Sequence, residues 1–277
     1  MSARNPSFTR SPSLIAGGVI AAALVAVAGV ACVWTPYPPT AIDILHRLAA
    51  VSPAHPLGTD PFGRDLLSML MRGARGTLGV AVVAVAAGAL AGVPLGVLAA
   101  ARGGWLDELV MRAADLVFAF PALLTAVMLT AVAGPGAFNA MVAIGIFNVP
   151  VFARVARAAA GGVWPRDYVL AARVAGRGEA AIALTHVLPN IAAALVVQLS
   201  LQLALAIVAD AGLAYVGLGT QPPQPSWGRM LNDAQTYVWR APMLAVIPGL
   251  AISVSVLGLN LLGDGLRDLL DPRLRRR

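Results

Sequence analysis

The sequence predicts an all-α, polytopic membrane protein with six transmembrane helices and both termini in the cytoplasm. Hydrophobic residues make up 58% of the 277 positions and charged residues only 12%, against about 25% charged residues in ordinary soluble domains. The apolar residues are grouped in blocks of about twenty, the length that a helix needs to cross a hydrocarbon layer about 30 Å thick. We therefore interpret each block as one span.

The first span follows a polar N-terminal tail, residues 1–12, that we expect to be cytoplasmic. It runs from Leu14 to Trp34 and ends before a proline-rich stretch, because consecutive prolines lack backbone donors and clash with the preceding turn. A polar external segment, residues 35–76, comes next. Its prolines and charges exclude it from the bilayer.

The second span covers about 77–101, and glycines recur in it at every fourth position, at Gly88, Gly92 and Gly96. This spacing places them on one helix face, which predicts the close approach of another helix backbone. The remaining spans end at about 133 for the third and cover about 138–155, 190–213 and 243–262 for the others. We take residues 13–277 as one transmembrane domain, with a cytoplasmic loop at about 157–189 and an external loop at about 214–242.

Arginine placement gives the orientation, because short cytoplasmic loops carry an excess of basic residues. All 20 basic residues are arginines. If the N-terminus is inside, the outer segments hold fewer of these arginines than the inner segments do. The outer arginines are Arg47, Arg64, Arg72, Arg75, Arg229 and Arg240. The net charge of +7 is thus typical of cytoplasmic loops, and we predict no nucleic-acid partner.

The inventory of chemical groups argues against an enzyme. A phosphate-binding loop of the Gly-Lys-Ser/Thr type needs a lysine, and the chain has none. The two glutamates, Glu108 and Glu179, and the three histidines show no zinc-hydrolase spacing. We therefore predict no catalytic residues, no metal site and no cofactor bound by this chain. A membrane-embedded enzyme and an ion-driven secondary transporter remain the alternatives at this point.

The cytoplasmic stretch 164–189 carries most of the functional signal. Residues 166–179 hold five charges, which would cost roughly 12–17 kcal/mol at the bilayer centre. The apolar and small residues between them predict a short helix that is held outside the bilayer and ends at Gly176. Such a helix suits docking into a groove of another protein, and an ordinary loop with helical character is the alternative.

This stretch resembles the EAA loop of ABC-importer permeases. That motif begins Glu-Ala-Ala, and after a glycine and nine residues it closes Ile-x-Leu-Pro. Here Leu170 replaces the glutamate and His186 replaces the isoleucine. The resemblance implies contact with an ATPase subunit through a coupling helix, and the candidate residues are Leu170, Ala171, Ala172, Arg173, Gly176, Leu188 and Pro189.

Three further stretches, 55–65, 217–228 and 260–272, are similar to signatures of the dipeptide/oligopeptide/nickel permease family, of the dipeptide "C" subunit type. The resemblance implies a bacterial inner-membrane permease that forms the path for di- or oligopeptides, or for nickel, glutathione or haem in related systems. The implied partners are a second permease subunit, two ATPase subunits that bind ATP and Mg²⁺, an extracytoplasmic solute-binding protein and the lipid bilayer.

Two acidic sites remain open to more than one interpretation. Asp210 lies deep in the fifth span, where a carboxylate faces a cavity or a partner rather than lipid. It either lines the translocation path or is a paired carboxylate near the outer interface. The acidic and basic residues of 58–65 form either a structural ion-paired turn or a contact with the binding protein.

Overall fold

A computed structural model describes residues 12–270. The predicted tail at 1–12 lies almost entirely outside these residues, as do the C-terminal arginines and the end of the third family signature. Within residues 12–270 the chain is helical and has no strand. The α-helices are α1 Pro12–Val33, α2 Leu66–Arg102, α3 Gly104–Phe118, α4 Ala122–Ala133, α5 Ala137–Gly161, α6 Asp167–Val174, α7 Glu179–Ile182, α8 Leu188–Tyr215, α9 Trp227–Ala234 and α10 Met243–Leu270.

Five helical segments are long and apolar enough to cross a membrane: α1, α2, α5, the continuous stretch from α7 through α8, and α10. A bent pair, α3 and α4, makes six if it counts as one span. The all-α membrane fold predicted from the sequence is confirmed.

The third span differs from the predicted continuous helix. Helices α3 and α4 meet at 83°, with the break at residues 119–121. Pro121 explains the break, because proline donates no backbone hydrogen bond and disfavours helical geometry at the preceding residue. With 12 residues, α4 extends about 18 Å, which is too short to cross the bilayer alone.

The second span begins earlier than its apolar pattern indicates. Helix α2 starts at Leu66 rather than near residue 77, because the carboxylate of Asp65 accepts a hydrogen bond from the backbone N–H of Ser68 and so caps the helix. The outer turns of α2 therefore carry Arg72, whose guanidinium donates to the Ala31 carbonyl at the end of α1. The irregular external segment ends at Asp65.

The predicted glycine face of α2 packs directly on α5. A methyl group placed on Gly92 would lie 2.3 Å from the carbonyl oxygen of Val149, and one on Gly96 would lie 2.2 Å from that of Ala153. Only hydrogen at these positions permits the two backbones to come so close. This contact forms the centre of the main core, which also receives α8, α9 and α10.

Candidate functional site

The connection between α5 and α7 is shorter than the predicted cytoplasmic loop at 157–189. Helix α5 continues to Gly161 and a new helix begins at Glu179, so the connection comprises residues 162–178 with α6 at its centre. Val169 and Ala172 on one face of α6 are buried. They belong to a second core with residues from the cytoplasmic ends of the long helices: Val97, Ala156, Ala160, Trp164, Ile182, Val187 and Ile191. This core fixes α6 against the membrane domain.

The opposite face of α6 is uncovered and, beyond the exposed Asp167 in its first turn, apolar. Leu170 is 44% exposed and Val174 is 90% exposed, and Ala171 between them is also exposed. We call these three residues the α6 outer face. When a helix outside the membrane-spanning segments exposes an apolar face, a partner protein can bury that face.

Two of the other predicted coupling residues, Ala172 and Arg173, stabilise the loop itself. Ala172 is buried in the second core, and Arg173 holds the two sides of the loop together. Its guanidinium donates to both carboxylate oxygens of Glu179, at 2.8 and 3.1 Å, and lies over the Trp164 ring. Arg173 thus joins α6 to α7 within the chain.

Gly176 ends α6 as the sequence predicts. It has a φ of +79°, its N–H donates to the Arg173 carbonyl, and the N–H of Arg177 reaches back to the Ala172 carbonyl. This is a Schellman ending, in which glycine is favoured because it lacks a Cβ atom. Apart from Gly176 and its chain neighbours, none of residues 12–270 has an atom within 4 Å of the position that a Cβ atom would take, so the constraint at Gly176 comes from the backbone.

Leu188 and Pro189 stand at the start of α8, directly after a π-helical turn, Ala183–Val187. Pro189 cannot donate to the preceding turn, which favours a local widening of the helix there. The ring of His186 in this turn stacks near Tyr168 of α6, with centroids 6.1 Å apart. The end of the motif therefore supports α6 from the α8 side.

Two ion pairs join α3 to the C-terminal half of α5. Arg157 donates to both carboxylate oxygens of Asp107, at 2.8 and 2.5 Å. Arg154 pairs with Asp115 and also lies over the Phe118 ring, 4.4 Å from its centroid. These contacts hold α3 beside α5 up to the point where the third span breaks.

On the outer side, the 58–65 stretch forms an ion-paired turn. The carboxylate of Asp60 accepts hydrogen bonds from the backbone N–H groups of Phe62 and Arg64, both at 2.8 Å, and from the Arg64 side chain at 2.6 Å. Asp65, which caps α2, also accepts from the His55 ring at 3.0 Å. Arg64 reaches Asp233 of α9 at 3.3 Å, so the turn fastens the first external segment to the second.

Trp227 anchors the second external segment, residues 217–242. Its indole N–H donates to the Leu70 carbonyl of α2 at 3.0 Å, and its backbone N–H approaches the Thr77 hydroxyl at 3.4 Å. A methyl group on Gly228 would meet the Ala211 carbonyl oxygen of α8 at 2.4 Å. The Pro- and Gly-rich segment is thus held tightly against α2 and α8.

An outer groove lies where the two external segments meet. Arg47 and Arg240 line it, and neither guanidinium has an ion-pair or hydrogen-bond partner within residues 12–270. Close to these arginines in sequence are two almost fully exposed apolar side chains, Leu45 at 93% and Trp239 at 98%. This surface combines unpaired positive charge with exposed apolar area.

Asp210 is completely enclosed, with none of its surface exposed. Neither carboxylate oxygen makes a hydrogen bond of normal geometry within residues 12–270, although the Thr77 side chain of α2 lies beside it. No paired carboxylate is therefore seen there. Its role in the translocation path stays a prediction.

A cavity of about 330 Å³ lies between α4, α5 and α8 and is not among the features predicted from the sequence. Its walls are apolar apart from Asn148 and Gln202, whose side chains are joined by a hydrogen bond of 2.7 Å. The available signal was the presence of carboxamides in the middle of two apolar spans. Twelve residues line the cavity: Leu123, Ala126, Ala143, Ile144, Phe147, Asn148, Gln202, Leu205, Ala206, Val208, Ala209 and Gly212.

Comparison with known proteins gives a consistent result. Residues 92–276 match the family described as "Binding-protein-dependent transport system inner membrane component". The chain is 39% identical over 269 residues to the glutathione transport system permease protein GsiD of Pectobacterium atrosepticum, covering 97% of this chain and 89% of that protein. It is 46% identical over 219 residues to the di/tripeptide transport system permease protein DppC of Pseudomonas aeruginosa, covering 79% and 72%.

A solved structure shares the fold. The inward-facing MetNI methionine ABC transporter superposes with a TM-score of 0.61 at 20% sequence identity, over 73% of this chain and 96% of that chain.

Proposed function

The chain belongs to the family of binding-protein-dependent transport system inner membrane components, and on this basis we propose that it forms the translocation path of an ATP-driven importer for di- and oligopeptides. It is a multi-pass permease subunit of the bacterial inner membrane. The hydrolysis of ATP with Mg²⁺ is assigned to separate subunits, and the path is completed by a second permease.

The α6 outer face is the main support for coupling to a separate ATPase subunit. Its apolar side chains are exposed on the cytoplasmic side, while the buried face and the Arg173–Glu179 pair hold α6 against α5 and α8. A helix fixed on one side and apolar on the other transmits the movement of a docked subunit to the spans. Leu170, in the place of the family's glutamate, supplies apolar contact here rather than a salt bridge.

The outer groove suits the solute-binding protein. Within residues 12–270, Arg47 and Arg240 have no ion-pair or hydrogen-bond partner, and arginine and tryptophan are enriched among the residues that dominate binding energy at interfaces. Positive charge at the groove would attract an acidic surface of the binding protein and speed its association.

Peptides are the proposed cargo because the relatives named for di/tripeptide and glutathione transport carry molecules with peptide bonds. Asp210 belongs to the proposal as a carboxylate that could meet the amino group of a peptide when the outer segment moves. It lies on α8 next to Ala209, which lines the cavity.

The test is the ATPase activity of the complete complex in lipid, with its binding protein and a panel of peptides, glutathione, nickel and haem. Stimulation by peptides alone supports the proposal. Stimulation by glutathione, nickel or haem alone reassigns the cargo within the importer class. A chain that assembles with no ATPase subunit contradicts the coupling role of α6.

A further inference from the structure

We propose that the Asn148–Gln202 pair is a recognition site for a peptide group, at which the passing substrate exchanges hydrogen bonds with the two carboxamides. This inference rests on the proposed function and makes it more specific. The proposed site depends on a cavity and a side-chain pair that form only in the folded chain.

The two side chains of the pair lie at the middle of two long helices. Asn148 lies halfway along α5 and Gln202 halfway along α8, so both carboxamides stand near the bilayer midplane. A carboxamide in hydrocarbon is costly unless it forms hydrogen bonds. Asn148 meets this need within the protein, since it donates to the Ile144 carbonyl at 2.8 Å and accepts from Gln202.

Gln202 has hydrogen-bonding capacity left over. Its side-chain oxygen accepts no hydrogen bond within residues 12–270, and it is not among the fully enclosed unpaired atoms there. Because Gln202 lines the cavity, this oxygen and the second N–H of the same group are available to an occupant. A carboxamide presents one acceptor and donors, which match the N–H and C=O of a peptide bond.

The walls of the cavity define the rest of the ligand. The described residues that line it include no charged side chain, so the cavity suits the uncharged peptide group and the apolar side chains of a substrate rather than its charged ends. Apolar side chains such as Leu205, which is 62% exposed, suit the varied side chains of peptides. The volume of about 330 Å³ falls in the range of small-molecule sites.

The break in the third span lies beside the same cavity. Leu123 and Ala126 at the start of α4 line the cavity, directly after the break at 119–121. Irregular backbone at membrane depth is tolerated where it is buried in protein or faces a cavity rather than lipid. Discontinuous helices are a common way to build substrate sites near the midplane.

The alternative is that the pair only joins α5 to α8, as polar side chains between membrane helices often do. Three variants separate the two roles. Gln202→Leu removes the carboxamide that has hydrogen-bonding capacity left over, and Asn148→Leu/Gln202→Leu removes both partners, which restores stability if the pair only joins the two helices. Gln198→Leu is the matched control, because Gln198 lies one turn away on α8 and does not line the cavity.

The readout is the number of peptide molecules taken up per ATP hydrolysed by the complete complex in proteoliposomes. We expect at least a tenfold loss for Gln202→Leu and for the double variant, and less than a twofold loss for Gln198→Leu. Recovery in the double variant, or equal values for Gln202→Leu and Gln198→Leu, overturns the recognition role while leaving peptide import intact. A wild-type complex that imports no peptide contradicts the proposed function as well.

A photo-crosslinking residue at position 205, with position 250 on α10 as control, identifies the occupant during turnover. Both leucines are exposed to a similar degree, 62% and 59%, and only Leu205 lines the cavity. Crosslinks to a labelled peptide at 205 alone support the site. Crosslinks at 205 only to the second permease or to lipid overturn it.

Discussion

Replacing Val174 by glutamate tests the α6 outer face directly. The side chain is 90% exposed in the chain alone and follows the buried Ala172 by two positions. A substitution at so exposed a site changes the stability of the isolated permease by no more than about 0.5 kcal/mol. Glutamate favours helix slightly more than valine does, and its charge at the helix C-terminus opposes that gain.

The expected effect in the complex is much larger. Burying a valine side chain in a partner's groove contributes about 1.5–3 kcal/mol, and placing a polar group there without a partner costs about 1–3 kcal/mol more. A total of about 2.5–6 kcal/mol corresponds to a loss of ATPase-subunit affinity of roughly 60-fold or more. Affinity is measured with the permease pair in nanodiscs, and thermal unfolding of the permease alone is recorded beside it.

Two controls make the result specific. Val174→Thr keeps the shape and adds no charge, so its loss of affinity should be clearly smaller. Arg112→Gln makes the same change in net charge at another exposed position, in a surface pair with Glu108, and should leave affinity within about threefold of wild type, since such a pair is worth only about 0.3–0.5 kcal/mol. Wild-type affinity and ATPase stimulation in Val174→Glu would refute the docking of α6.

Four other predictions concern Gly92, Gly176, Arg240 and Asp210. Gly92→Ala should prevent stable assembly, because its methyl group would collide with the Val149 carbonyl of α5, whereas Gly79→Ala on the same helix enters open space and should leave the melting temperature unchanged; equal behaviour would contradict the close contact. Gly176→Asn should retain more coupled ATPase activity than Gly176→Ala, since asparagine tolerates the left-handed conformation better, and the reverse order would show that side-chain size at the loop matters more than backbone geometry. Arg240→Glu should weaken binding-protein association at least tenfold at low salt and less at high salt, as measured by surface-bound kinetics; no salt dependence would remove the outer groove from the interface. Asp210→Asn should lower peptide uptake with assembly unchanged if the carboxylate meets the path, and unchanged uptake would assign it a structural role.

Much of the fold could be predicted because membrane insertion depends on local composition. Apolar blocks, glycine spacing and arginine placement are each properties of neighbouring residues, and a bilayer selects on them directly. The glycine face of α2 is one such case, since a repeat of small residues predicts that some helix backbone will lie there. The pattern could not say that the partner would be α5, because any apolar helix satisfies it.

Two helix boundaries differ from the predicted span boundaries for local physical reasons. Arg72 and Arg75 led to a start near residue 77, although α2 begins at Leu66 with an Asp65 cap. Charges on the outer turns of a helix can reach the aqueous phase, so hydropathy underestimates the helix. The break before α4 depends on Pro121, which is tolerated in many membrane helices and bends them only where the surroundings allow it.

The class of the protein could be predicted from local sequence, because hydropathy, the EAA-like stretch and the outer signatures are all contiguous in the chain. The same holds for α6 as a short helix ending at Gly176, since a Schellman ending depends on a few adjacent residues. Which face of α6 is free, why Arg173 pairs with Glu179 and where Asp210 is enclosed depend on how the helices pack. The tertiary structure alone brought Asn148 and Gln202 together across 54 positions, because contacts between helices depend on rotation and depth, which no local pattern specifies.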